Sequence, residues 1–255
     1  MPLPTTTLTD LANHLDALGV GPQKNLVVHS RLISFGRLQG GAAAVYQAIR
    51  DKVGAASTIA VPAYTFGLGE ADLYDARQTP SMEVGVFSEY VRQLPGAVRS
   101  ACPIHSHAAV GPAAHLLAAV SGNASLGPGS DFEMFLKNGF WLLLLGCEFE
   151  EGATIIHHME AEVGVPYRAW RNLPRRCMVD GREQHRSVRY YARASDRWAE
   201  DFAKVRVRLE KAGLVQAANC PIGRSYLVSL HDIAGEVRAM LQSDPFAVVR
   251  PVDPT

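Results

Sequence analysis

Two periodicities of apolar residues alternate along this chain. Leu26-Val27-Val28-His29-Ser30 is a short apolar run closing on polar residues, which predicts a buried strand opening into a loop at its carboxyl end. Ile59-Ala60-Val61-Pro62 and Trp141-Leu142-Leu143-Leu144-Leu145-Gly146 repeat that form. Between them, Ala42 to Val53 is predicted as a helix entered through Gly40-Gly41, and Val84 to Leu94 as another with Val84, Phe87 and Val91 on one face. Leu8, Leu11, Leu15 and Leu18 also recur at helical spacing. Alternating strands and helices predict a sheet covered on both sides.

Local chemistry refines the later segments. Ser130 is followed three residues on by Glu133, the pattern of a capping box, and this predicts a helix through Phe132 to Lys137. After about Pro174 the texture changes: Met178 to Asp180, the turn signal Asp180-Gly181 and Ser187 to Tyr191 predict a small antiparallel insertion at about 174–194. Asp196 to Ala212 is predicted as one long charged helix stopped by Gly213, and Leu230 to Leu241 as another ending before Pro245. No repeat, low-complexity tract or long linker divides the chain, so a single domain over 1–255 is expected.

Composition narrows the function. At 255 residues and 47% hydrophobic the chain can bury a full core. Twenty-five basic residues balance twenty-five acidic ones, so no global field recruits nucleic acid or an anionic membrane. Met1 to Val20 lacks the charged start and unbroken apolar centre of a signal peptide. The most apolar run, Phe140 to Leu145, is far shorter than the roughly 20 residues that span a bilayer. Cys102, Cys147, Cys177 and Cys220 are scattered with no pair at ligand spacing, which suits reduced thiols and a cytoplasmic setting. A catalytic thiol at Cys102, beside a histidine-rich segment, stays open.

Histidine, hydroxyl and glycine residues concentrate in three segments: His29 to Gly41, Pro103 to Gly111 and Thr154 to Glu162. Each adjoins a predicted strand end, where ligands sit in open α/β sheets, so the three are expected to meet in one cleft. His157 and Glu160 lie at i and i+3 on a helix flank, close enough for the carboxylate to orient the imidazole and stabilise the charge it gains on taking a proton. That suits a general base. An ordinary surface pair fits the same spacing. A metal site built from His105, His107, His157 and Glu160 is a third reading, although neither segment has the HExxH or cysteine-knuckle form.

The loop holding Ser30, Ser34, Gly36, Gly40 and Gly41 runs into a helix start, where free amides can bind phosphate; an ordinary strand-to-helix turn has the same composition. There is no Walker lysine and no GxGxxG. Glu148, Glu150 and Glu151 could make an acidic cleft for a polycation, whereas Arg168, Arg171, Arg175 and Arg176 could clamp an anionic acceptor such as a nucleotide amino sugar or phosphonate. Solvated loops satisfy both clusters as well.

Taken in order, these segments resemble the aminoglycoside 3-N-acetyltransferase family. VVHSRLISFGRLQGG is similar to its opening strand and loop, VPAYTF to its second strand, and TPSMEVGVFSEYVRQLPGAVRSACPIHSHAAVG to its long middle signature. GPGSDFEMF and WLLLLGCEFEEGATIIHHMEAE follow, so the resemblance is good over roughly 24 to 168 and weak beyond. It implies a layered α/β/α-type fold and direct acetyl transfer from acetyl-coenzyme A to an amine. It further implies His157 as general base with Glu160 as its partner, and His105-Ser106 at the thioester end. Ser30, Leu32, Ser34, Ser106 and Ser130 would help hold coenzyme A. No resident metal is implied. Arg31 stands where many relatives have a small hydroxyl residue, and His107 where a large apolar or aromatic one is usual. Such relatives include resistance enzymes and acetyltransferases of amino sugars and small metabolites, so the acceptor stays open, as does a homodimer. Two other functions remain: a metal-dependent hydrolase on the four residues named above, and a coenzyme A binding protein without catalysis.

Overall fold

The three apolar runs form the parallel centre of one sheet. In the computed structural model, which describes residues 3–252, the main sheet begins with β1 (Leu26–Ser30), β2 (Ile59–Pro62), β3 (Val98–Arg99), β4 (His107–Val110) and β5 (Trp141–Leu145). The domain expected over 1–255 thus reaches past the described residues at both ends. A long hairpin follows, β6 (Arg168–Val179) and β7 (Arg182–Arg193), then β8 (Trp198–Glu200), β9 (Val215–Cys220), β10 (Gly223–Ser229) and β11 (Val249–Pro251). The seven-stranded sheet has the order β9-β10-β5-β1-β2-β4-β3. Strand β1 pairs parallel with both β2 and β5, and the remaining pairs are antiparallel.

Alternate residues of these strands enter opposite cores, which shows why the runs are apolar throughout. Leu142 and Leu144 of β5 join Val27 and Ala60 on one face, whereas Leu143 and Leu145 join Leu26, Val28, Ile59 and Val61 on the other. The second face is covered by α1 (Leu8–Ala17), α2 (Gly41–Val53) and α3 (Val86–Arg92) through Leu11, Leu15, Val45, Ile49, Phe87 and Val91. The first face is covered by α5 (Asp131–Lys137), α7 (Ile155–Val163), α8 (Ala203–Lys211) and α9 (Leu230–Ser243), with short helical turns α4 (His115–Ala118) and α6 (Phe149–Gly152) between strands and helices. Helices on both faces of a mixed sheet make the layered α/β/α-type fold. No helix among the described residues is long and apolar enough to cross a membrane.

Four local expectations need correction. The helix expected over Val84 to Leu94 is broken at Gly85, whose φ of 92° is left-handed, so Val84 closes a short turn and α3 starts at Val86. The long helix expected from Asp196 begins only at Ala203, because Trp198–Glu200 is captured as β8 by β11, some 50 residues on. No local propensity reports such a partner. Helix α5 starts where expected, but the capping box does not form: the Ser130 hydroxyl donates to Gly127 O at 2.6 Å and Glu133 accepts from the Gly129 amide. The antiparallel insertion begins at Arg168 rather than 174. Its turn is as expected, with Asp180 (φ 49°) and Gly181 (φ 74°) both left-handed, the geometry that matches strand twist.

Candidate active site

A cleft of about 870 Å³ opens beyond the carboxyl ends of the parallel strands. Ser30, Arg31, Leu32 and Ile33 form one flank; Pro62, Tyr64 and Phe66 continue from β2; Cys147 and α7 lie at the floor. The hairpin forms the opposite flank through Arg168, Tyr190 and Arg193, and Glu200 of β8 completes it. All three segments singled out for histidine contribute, through His29, His105 and His157.

Helix α7 positions the central pair. Ile155, Ile156 and Met159 are buried on its core side, and this turns His157 to the cleft with 20% of its side chain exposed while Glu160 stays fully buried behind it. Oε2 of Glu160 accepts from His157 Nδ1 at 2.7 Å, and Oε1 accepts from the Tyr167 hydroxyl at 2.7 Å. Arg168 Nε is 2.7 Å from the same Oε2 as an ion pair, and its Nη2 is 3.2 Å from Glu200. Burial alone pushes Glu160 up, but the bond and charge of His157, the charge of Arg168 and the Tyr167 hydroxyl outweigh it and leave the carboxyl below its ordinary 4.5. It is therefore ionised at neutral pH. A carboxylate only accepts, so Nδ1 of His157 carries the proton and Nε2 keeps a lone pair. Arg168 Nη2, 3.0 Å from Nδ1, then faces a donor and is held there by the two glutamates.

Two other histidines of the cleft, His105 and His29, are held below the ordinary imidazole value. Burial, with the charges of His157, His107 and Arg168 added, holds His105 well below 6.5; its Nδ1 meets the Ser125 hydroxyl. Burial and then His107 bring His29 down to about 3. His107 is wholly buried, with Nδ1 2.9 Å from Asp131 and Nε2 3.3 Å from the Tyr64 hydroxyl, so it shapes the wall behind Tyr64. His158 accepts from the Gly127 amide at 3.1 Å, away from His157.

Of the expected coenzyme-binding residues, Ser30 and Leu32 line the cleft. Ser34, Ser106 and Ser130 do not. Each is buried and donates its hydroxyl to a backbone carbonyl, respectively of Gly146, Ala63 and Gly127, at 2.6–2.7 Å. These serines brace loops from within. Nor do the four residues of the metal reading converge: His107 is engaged by Asp131 and Tyr64, and among the described residues no three His, Cys, Asp or Glu side chains make a metal cluster. Cys102 is buried, and burial and then Asp131 push its thiol up to about 12, which removes it as a nucleophile.

Sequence reasoning offered Arg168 only as part of an anion clamp or a solvated loop, not as a partner of Glu160, and missed Glu200 and Arg193 altogether. Arg168 read as a loop cation because nothing local marks it as the start of a strand that inserts between two carboxylates. Glu200 lies where a helix was expected. The nearest signal was Tyr167-Arg168 directly after the helix bearing His157, close enough in sequence to reach back to it.

The architecture defines an α/β enzyme whose cleft presents an imidazole held by a buried carboxylate. Residues 27–242 match the profile of the aminoglycoside 3-N-acetyltransferase family, and the chain belongs to that family, a group of acyltransferases with acetyl-coenzyme A as co-substrate. Aminoglycoside N(3)-acetyltransferase VII of Streptomyces paromomycinus is 34% identical over 194 residues, covering 69% of this chain and 67% of its own. Aminoglycoside N(3)-acetyltransferase IV of Salmonella sp is 28% identical over 249 residues, 95% of this chain and 90% of its own. Among solved structures, AAC-IIIb in binary complex with CoASH superposes with a TM-score of 0.83 at 23% identity, covering 99% of this chain and 100% of the other. YokD from Bacillus subtilis gives 0.83 at 23%, with 95% and 96% covered. At that identity the structural likeness speaks for the fold.

Proposed function

We propose that this protein transfers an acetyl group from acetyl-coenzyme A directly to a primary amine, with His157 as general base and Glu160 as the group that holds it. The observation that carries this reading is the 2.7 Å bond from Nδ1 of His157 to the buried Oε2 of Glu160 at the cleft floor, which leaves Nε2 free to accept a proton. As the amine nitrogen bonds to the thioester carbonyl carbon, Nε2 takes its proton. The carbon–sulfur bond breaks, the electron pair leaves on sulfur, and the imidazolium proton can follow it. Glu160 stabilises the imidazolium, and Glu200, 4.0 Å from Nε2, adds to the negative field around it. Arg168 keeps both carboxylates in place.

The flank carrying Ser30 and Leu32 takes the donor, which leaves the hairpin flank for the acceptor. Holding amine and thioester side by side supplies the entropic part of the acceleration. His105, kept neutral, stands at the wall near the reacting carbonyl as a candidate to polarise its oxygen.

The test compares wild type with His157→Ala for coenzyme A release from acetyl-coenzyme A over a panel of amines. We expect kcat/KM to fall on the order of 100-fold or more, as for loss of a general base, with coenzyme A binding by calorimetry retained. Equal turnover in both proteins removes His157 from the mechanism.

A further inference from the structure

Arg31, Arg168 and Arg193 line the cleft together with Glu83, Glu151 and Glu200, and these charges are unequally engaged. Arg168 is buried against Glu160 at 2.7 Å and Glu200 at 3.2 Å, and Arg193 is closed on the other oxygen of Glu200. Glu83 is taken up by the amides of Phe66 and Gly67. Arg31 differs. Its one ion pair among the described residues sets Nη1 3.4 Å from Oε1 of Glu151, and 55% of its side chain is exposed. A pair so exposed is worth about 0–1 kcal/mol, so an incoming anion can replace the carboxylate. Glu151 keeps a partner when that happens, because its other oxygen accepts from the Glu148 amide at 2.8 Å.

The root of the side chain, by contrast, is fixed. The Arg31 amide donates to Leu145 O and its carbonyl accepts from the Ser34 amide, both at 3.0 Å, so the guanidinium leaves the end of β1 at a set point between Ser30 and Leu32. Ile33, two residues on, lines the same flank, and Val86 and Phe66 line the cleft as well; each of the three is more than half exposed. A cation free to change partners, with uncovered apolar side chains around it, suits a ligand end that carries both a phosphate and a flat base. Coenzyme A has such an end, and its thioester arm alone has neither group.

Building on the assignment of this flank to the donor, we infer that Arg31 exchanges Glu151 for a phosphate of coenzyme A and so selects the nucleotide-bearing thioester over shorter thioesters of the same arm. Arg31 acts here as a specificity residue of the donor side, apart from the proton transfer at His157.

Calorimetry tests this without turnover. Wild type and Arg31→Ser are titrated with coenzyme A, dephospho-coenzyme A, phosphopantetheine and pantetheine, and KM is measured for the corresponding acetyl thioesters with one amine. The substitution is expected to weaken coenzyme A about tenfold, the size of a lost hydrogen bond between charged groups, with kcat retained and pantetheine unaffected. The ligand at which the penalty first disappears identifies the phosphate: the ribose phosphate if dephospho-coenzyme A already escapes it, the pyrophosphate if only the shorter ligands do. The wild-type preference for coenzyme A over pantetheine should shrink as salt is added, because the guanidinium is exposed. Equal weakening of pantetheine would make Arg31 a brace of its loop, and unchanged coenzyme A binding would leave it with Glu151; either result overturns the inference while acetyl transfer stands. Coenzyme A binding that shows the Arg31 penalty, without acetyl transfer to any amine, would overturn the transfer reading and leave this inference standing.

Discussion

At the scale of single residues the site depends on an ionised carboxylate in a place that ordinarily neutralises one. Glu160 is fully buried, and only the His157, Arg168 and Tyr167 contacts keep its carboxyl below 4.5. Because its pKa is lower folded than unfolded, the stability it contributes is complete above the ordinary carboxylate range and is lost as pH falls through its folded value. In Glu160→Gln, Arg168 loses its buried partner, a change of about 3–5 kcal/mol by the general cost of breaking a buried pair. Chemical denaturation at pH 7 should show that loss, and the gap to wild type should narrow as the pH is taken below 4.5. A gap constant with pH would mean that the carboxyl titrates alike in the folded and unfolded chains, and a gap that widens as pH falls would mean that it is neutral when folded. That His157 and Glu160 pair was legible from their spacing, since i and i+3 on a helix meet whatever surrounds them. Arg168 was not, because its role comes from a strand that returns to the helix.

At the scale of elements, close approaches hold the cleft floor in shape. Gly152 ends α6 where a Cβ would stand 2.5 Å from Leu144 Cδ2 and 2.9 Å from His29 Cβ, so nothing larger fits between the turn and the strands β1 and β5. Gly152→Ala should push α6 away, disturb His29 and Cys147 in the cleft, and cost about 1–3 kcal/mol as overpacking. Thermal unfolding combined with the KM for acetyl-coenzyme A tests it, and unchanged values in both would show that the turn yields freely. The hairpin turn is a separate case. At Gly181 (φ 74°) there is open space for a side chain, so Gly181→Ala carries only the backbone cost of about 1–2 kcal/mol, with a Tm loss of a few degrees and kcat unchanged. The Asp180-Gly181 turn could be read from two residues, whereas the start of β6 could not: Arg168 to Leu173 has no clear alternation, and its strand state comes from pairing with β7 over its full length.

For the whole molecule, acid sensitivity follows from histidines buried neutral. His29 is brought down to about 3 and His158 to about 4, chiefly by burial, and His105 lies well below 6.5. The unfolded chain binds protons at these sites near 6.5 while the folded one does not, so stability is full above that value and declines as pH falls toward 4. Tm measured from pH 7.5 to 4.5 should decline steadily, starting above the carboxylate range; a flat profile down to pH 5 would contradict the burial of these rings.

The apolar runs by themselves determined the parallel centre of the sheet, because a strand covered on both faces must be apolar at every position, and they placed the histidine-bearing loops at its carboxyl edge. Local spacing likewise determined the His157–Glu160 pair and the hairpin turn. Tertiary structure alone decided that the Ser34 and Ser106 hydroxyls turn from the cleft, since carbonyls distant in sequence claim them, whereas Ser130 is claimed locally by Gly127. It also decided that Arg168 enters the site and that Trp198–Glu200 is a strand, because both outcomes depend on partners that come near only once the chain has closed on itself.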